Sequence, residues 1–240
     1  MPLPIDTEFF KENGYILTRG VLSDSDFSAL ETKFLALANE QTGESYAGIN
    51  DPLLVSRISE DRKLETYLYN TIRDFSELVN LSITESLTHS IASILGDNNL
   101  VLLEKIPFRI DCPMVMRELA LWHQDYFYVK GDAKTITAWI PLQDTSFSEG
   151  CLMVMPGSHT TGPILHDVNV LQKKHYPSNI FGREVRYVEM KRGDVLLFHS
   201  CLLHSSGNNI SDLIRYSVQA RYLSANSGSD ASMGKRIVIS

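Results

Sequence analysis

The chain has 240 residues, 43% of them hydrophobic and 21% charged, a globular composition with enough length to bury a core without disulfide staples. A formal net charge of −7 argues against nucleic acid as a partner, because holding a phosphate backbone needs a basic surface. No apolar run is long enough to span a bilayer, so a membrane role is not expected either.

The N-terminus, MPLPIDTEFF, has no basic segment followed by an apolar stretch, so no export signal is read there. Three scattered cysteines, Cys112, Cys151 and Cys201, without a CxxC, predict reduced thiols and a cytoplasmic location. The Asn-x-Ser triplets at Asn80 and Asn209 are then chance matches. TEFFKENGY predicts a short helix with Thr7 as its cap and Gly14 as its stop. In SDSDFSALETKFLALANEQTG, Ser and Asp offer caps, and Phe27, Leu30, Phe34 and Leu37 recur at helical spacing. YAGINDPLLVSRI, broken by Gly and Pro, reads as loop. One or two further helices are expected from about Lys63 to Leu95.

From Leu100 the pattern changes to short apolar runs separated by turn residues. They are LVLLEKIPFRI, LALWHQDYF, TITAWIPL, CLMVMPGS, VRYVEM, DVLLFHSC, IRYSVQARYL and RIVIS. Residues 160–184 read as a polar loop and 224–234 as a flexible linker. The expected architecture is α+β with a mostly β core. A double-stranded β-helix, or jelly-roll, has N-terminal helices packed outside it. Residues 1–240 form one domain: 1–98 mainly helical, 99–223 the β core, 224–240 the linker and terminal strand.

Within LALWHQDYF, a strand would turn His123 and Asp125 to one face and Gln124 to the other. An imidazole and a carboxylate suit Fe(II), Mn(II) or Zn(II). A third ligand must come from elsewhere, and GDVLLFHSCLLHSSGNN offers His199 and His204. Five positions apart on a regular strand, they would face opposite sides, so one of them joins the pair. Spacing does not say which. Arg215, in an alternating apolar strand, needs an anionic partner if buried, and its planar fork matches a carboxylate. Arg221 has the same parity and shares that face or sits near the rim.

WHQD, GCLMVMPGSH, GDVLLFHSCLLHSSGNN and IRYSVQARY, in that order, resemble the motifs of the phytanoyl-CoA dioxygenase family of Fe(II)- and 2-oxoglutarate-dependent oxygenases. The resemblance covers about residues 100–223. It implies a cupin-like fold, Fe(II) as cofactor, 2-oxoglutarate as co-substrate, and O2 and an unidentified small molecule as reactants. It selects His204 as the ligand beside His123 and Asp125, leaving His199 structural. It implies that Arg215 and Ser206 hold the distal carboxylate of 2-oxoglutarate, with Lys105 approaching the co-substrate. Trp139 falls where the family sets an aromatic beside the site, though a core tryptophan reads equally well. The implied reaction is hydroxylation of an unactivated C–H with release of succinate and CO2. An intact Asp125 speaks against halogenation. Tyr126 and Tyr128, with Phe127 between them, are candidates for the pocket mouth or plain core packing. The stretch with His166, Lys173, Lys174, His175, Arg183 and Arg186 reads as a cationic lid or as a solvated surface. Two other classes share these residues: a non-catalytic jelly-roll sensor binding a metal or carboxylate, and a zinc hydrolase, which leaves Arg215 unexplained.

Overall fold

The computed structural model describes residues 5–115, 121–129, 133–169, 174–177, 184–227 and 236–239. Helix α1 (Thr7–Asn13) is capped by Asp6, whose carboxylate accepts the Phe9 N–H at 2.9 Å, so Thr7 is its first residue rather than its cap. Gly14 ends it at φ 78°, as expected. The chain then forms strand β1 (Tyr15–Thr18), four residues too short to show an alternating pattern among helices. Helix α2 (Asp24–Thr42) starts from a capping box at Ser23 and buries Phe27, Leu30, Phe34 and Ala38.

The stretch expected to be a loop before Lys63 is helical over α3 (Pro52–Glu60). Its proline sits in the first turn, where the missing N–H has no intrahelical partner anyway, and Asp51 caps it. Residues 62–95 make three helices rather than one or two: α4 (Arg62–Ile72), α5 (Ser76–Ser82) and α6 (Glu85–Leu95).

The β region follows the expected spacing in most places. LVLLEKIPFRI is split into β2 (Leu100–Leu103) and β3 (Phe108–Asp111). LALWHQDYF is not a strand: residues 116–120 lie outside the described residues, His123 makes an isolated bridge, and Tyr126–Val129 form a one-turn helix, α7. Then come β4 (Ile136–Pro141) and β5 (Leu152–Val154). The stretch read as a polar loop contains a hairpin, β6 (His166–Asn169) with β7 (Lys174–Pro177). The remaining strands are β8 (Arg186–Val188), β9 (Val195–His199), β10 (His204–Ser206), β11 (Arg215–Ser224) and β12 (Arg236–Ile239). Residues 228–235, most of the expected linker, lie outside the described residues.

The larger sheet runs β1-β9-β4-β11-β2-β12, with β3 also on β11; the smaller runs β10-β5-β8. All their pairings are antiparallel. Together they make the mixed helix and antiparallel-sheet fold that was expected. Alternation along β11 sorts its side chains. Tyr216, Val218, Ala220 and Tyr222 join Phe27, Phe34 and Leu54 of the helices in one core. A second core, between the sheets, has Trp139, Leu196 and Phe198 against Leu152, Val154 and Leu202. Arg192 ties α2 to the β region through Asp24 at 2.7 Å and Glu31 at 2.6 Å, with its guanidinium 4.3 Å above the Phe27 ring. No described helix is long and apolar enough to cross a membrane.

Phe34 makes the helix-to-sheet contact, edge-on to Tyr216 with ring centroids 5.2 Å apart. Phe34→Ala is expected to lower unfolding free energy by about 3–5 kcal/mol in a urea titration, with β-sheet circular dichroism retained in the folded baseline.

Candidate metal centre

A reciprocal pair of main-chain hydrogen bonds builds the site. The His123 N–H donates to the His204 carbonyl at 3.0 Å, and the His204 N–H returns to the His123 carbonyl at 3.1 Å. His123 is thereby laid beside β10 and so beside the smaller sheet. The two imidazole centroids are 4.2 Å apart. The chain then turns into α7, and that turn, rather than a strand, swings Asp125 back toward the rings. Gln124 points elsewhere, as expected, donating to the carbonyls of Cys201 at 2.7 Å and Gly162 at 2.9 Å.

His123, Asp125 and His204 each offer one ligand atom, all within 4.8 Å of one another, and all three are buried. His123 Nε2 lies 3.6 Å and His204 Nε2 3.8 Å from Asp125 Oδ1. Their Nδ1 atoms face the carbonyls of Leu121 (2.5 Å) and Leu202 (3.0 Å). A carbonyl only accepts, so each Nδ1 carries a proton, and each Nε2 is the ring nitrogen turned to the shared space. Burial first, and the neighbouring His123 second, push the His204 pKa down to about 3. Its imidazole is therefore neutral, the form that ligates.

Asp125 is 2% exposed. Burial opposes its ionisation, but the Arg221 charge outweighs it and holds the carboxyl well below the usual range. Arg221 Nε donates to Oδ2 at 3.1 Å and Nη2 to Oδ1 at 3.2 Å. Thr137 adds an O–H to Oδ2 at 2.6 Å. Arg221 thus shares the face of Arg215, as parity allowed, and it is the site residue whose role spacing did not show. The signal was present: an arginine in an apolar alternating strand, with the parity of the first.

His199 and His204 sit on different sheets, because the chain turns between them and leaves β9 for β10. His199 accepts the Cys201 N–H through Nδ1 at 3.1 Å and faces His159 at 5.3 Å between centroids, so it is outside the cluster.

Arg215 is 1% exposed and already has an acidic neighbour: its Nη2 is 2.9 Å from Asp111 Oδ2, in register across β11 and β3. Asp111 also takes an Arg109 hydrogen bond at 2.8 Å on Oδ1. Burial pushes its carboxyl up, Arg215 and then Arg109 pull harder, and its pKa falls to about 2. Arg215 Nη1 donates to the Gly150 carbonyl. Gly150 sits there at φ 76°, where an added Cβ would be 2.5 Å from the Gly207 carbonyl oxygen. Three buried polar atoms in this patch have no hydrogen-bond partner among the described residues: Arg215 Nε, Ser217 Oγ and Asp111 Oδ2, whose approach to Nη2 is an ion-pair contact without hydrogen-bond geometry.

The other expected residues are scattered. Ser206 is buried on β10, two positions from His204. Trp139 belongs to the inter-sheet core, with its ring 5.9 Å from the Arg215 guanidinium, so it is both core and neighbour to the site. Lys105 is exposed in the break between β2 and β3 and lines a cavity of about 860 Å³ with Arg221 and Tyr128. Tyr128 is edge-on to His123 at 5.5 Å. Tyr126 is half-buried and donates its backbone N–H to Ser200. Of the cationic stretch, Lys173 and Arg183 lie outside the described residues, as do the side chains of Lys174 and His175. Arg186 pairs with Glu184 at 2.7 Å on an exposed strand. His166 accepts the Gln124 N–H at 3.0 Å and so braces the ligand turn.

Residues 10–217 match the family model described as phytanoyl-CoA dioxygenase (PhyH). The chain belongs to the phytanoyl-CoA dioxygenase family. It is 24% identical over 242 residues to the peroxisomal phytanoyl-CoA dioxygenase of Bos taurus, covering 91% of this chain and 68% of that protein. Over 97 residues it is 37% identical to the 1-deoxypentalenic acid 11-beta-hydroxylase of Streptomyces exfoliatus, 37% of this chain and 34% of that one. Among solved structures, apo ThoJ, a non-heme monooxygenase, matches with TM-score 0.69 at 19% identity, covering 97% of this chain and 82% of that chain. The epimerase SnoN in complex with Fe3+, alpha ketoglutarate and nogalamycin RO matches at 0.63 and 19%, covering 91% and 82%. These structural likenesses establish the fold. Family membership and the buried His–Asp–His cluster make this chain an Fe- and 2-oxoglutarate-dependent oxygenase.

His123→Ala is expected to abolish binding of Mn(II), used as a redox-quiet probe, in a calorimetric titration. Asp111→Asn leaves the Arg215 charge buried and unpaired, and should cost about 3–5 kcal/mol of unfolding free energy by urea denaturation.

Proposed function

We propose that residues 1–240 act as one cytoplasmic oxygenase domain that hydroxylates an unactivated C–H of a small molecule, consuming O2 and 2-oxoglutarate and releasing succinate and CO2. The observation that carries the reading is the pair of unpartnered donors, Arg215 Nε and Ser217 Oγ, on the strand face that also sends Arg221 to the triad. Buried donors without acceptors are costly unless a ligand completes them. A guanidinium N–H with a hydroxyl beside it fits a carboxylate.

The donor set fits the iron as well. Two imidazoles and one carboxylate, from His123, His204 and Asp125, are the 2-His-1-carboxylate donor set that would hold Fe(II). Iron bound there supplies the oxidising chemistry, driven by decarboxylation of the oxo-acid.

The chain's own residues do the rest. Leu121 and Leu202 carbonyls fix both rings in the tautomer that ligates. Thr137 and Arg221 Nε hold Asp125 Oδ2, leaving Oδ1 nearest the imidazole nitrogens. Asp125 keeps the carboxylate of that donor set, which favours hydroxylation over halogenation. Arg215, with Ser217 and Ser206, anchors the far carboxylate of 2-oxoglutarate. Asp111 and the Gly150 carbonyl fix the other edge of that guanidinium. Asp111 is not a replacement for the co-substrate, because Arg109 and Arg215 together outbalance its single charge. Trp139, Leu196 and Phe198 keep the space between the sheets apolar.

Anaerobic addition of Fe(II) and 2-oxoglutarate should give the weak visible charge-transfer band, and air should then give succinate. Arg215→Gln is expected to raise the KM for 2-oxoglutarate by about tenfold or more, since a charged hydrogen bond is lost, with Mn(II) affinity changed far less. Absence of both band and succinate from the wild-type protein would refute the assignment.

A further inference from the structure

The cavity of about 860 Å³ adjoins the triad through Arg221, which touches Asp125, and Tyr128, which touches His123, and its wall has mixed character. Phe75, Val79, Leu103, Ile106 and Ile237 make it apolar. Arg73, Lys105 and Arg221 also face it, against Asp74 and Glu104. Among the described residues three cations face two anions there, and Asp125 behind the wall matches Arg221, so charge is balanced while two of the cations keep free donors. Arg221 grips Asp125 with Nε and Nη2, so its third nitrogen, Nη1, has no partner among the described residues. Lys105 has no hydrogen-bond or ion-pair partner among them either, and Arg73 rests on the Tyr69 ring at 5.2 Å. The break between β2 and β3 at residues 104–107 opens the larger sheet at this point, beside Arg221.

We propose that this cavity is the substrate pocket and that its occupant is an amphipathic monocarboxylate, with an apolar body against Phe75, Val79 and Ile106 and its carboxylate on Arg221 Nη1 and Lys105. The inference rests on the oxygenase reading and adds the class of substrate. Arg221 then has two duties, steadying the metal-binding carboxylate and setting the distance of the substrate's anionic end from it. This pocket is separate from the co-substrate anchor: Arg215 is six residues from Arg221 on β11, roughly 20 Å of extended strand.

The probe is octanoate, compared with octanamide, which has the same body without the charge. Both are titrated calorimetrically into protein loaded with Mn(II) and 2-oxoglutarate, so that no turnover intervenes. Octanoate is expected to bind about tenfold more tightly than octanamide, the scale of one charge-assisted hydrogen bond. Arg221→Gln should erase that preference. Lys105→Gln, at an exposed position, should reduce octanoate affinity about threefold or more and leave octanamide unchanged, given the weaker worth of a solvated charge. Equal affinities for the two probes, binding of neither, or a preference that survives in both variants would overturn the proposal. The Fe(II)–2-oxoglutarate band is recorded on the same wild-type preparation. If the band forms but octanoate is not preferred, this inference alone falls; if no band forms, the oxygenase reading falls with it.

Discussion

An ionised carboxylate in the dry interior of a β barrel is the condition on which the site depends. Asp125 meets it by surrounding itself with one guanidinium, one hydroxyl and the edges of two imidazoles. Without that company the acid would take up a proton and lose its use as a ligand. The same condition is met a second time toward the other end of β11, where Asp111 is shared by Arg109 and Arg215. One strand therefore carries a buried arginine and a half-buried one, each matched to an aspartate from a different element. Only an acid ionised by its partner can serve at either place.

Strand alternation makes this possible. Along β11 the outward residues, Tyr216, Val218, Ala220 and Tyr222, close the apolar core under the helices. The opposite set includes Arg215, Ser217 and Arg221. A slip of one residue in register would put both guanidiniums into the helix-facing core and the tyrosines into the site. The helices thus contribute to function indirectly: by burying the outer face they hold the register that aims the inner one. Residues near the α4–α5 junction also wall the cavity next to Arg221, joining helical layer and chemistry at one place.

The ligands reach one another by different means. His204 is delivered by a strand of the smaller sheet, and His123 by main-chain bonds to it. Asp125 is delivered by a turn. A strand would also have put His123 and Asp125 on one side, so the inference from period two was right in its result and wrong in its route. The turn serves better, because α7 folds Tyr128 against His123 and leaves Gln124 free to bind the Gly162 and Cys201 carbonyls.

Much of this was legible in the order of residues. Short apolar runs between turn formers implied the strands, helical spacing in residues 24–42 implied α2, and four motifs in order implied the family and the triad. What stayed hidden was either too short or too distant. β1 and the β6–β7 hairpin have four-residue strands, less than the span over which a period declares itself, and the proline that suggested a loop marked the first turn of α3. The partners of Arg215 and Arg221 could not be read off, since a buried charge says that it needs a counter-charge but not which one. Asp111 and Asp125 were two acids among 29. The sequence by itself determined which groups can ligate and which strand face must be polar, because side-chain chemistry and backbone period are local. Only the tertiary structure decided which acid meets which arginine, because pairing in three dimensions depends on register and on turns that bring remote segments together.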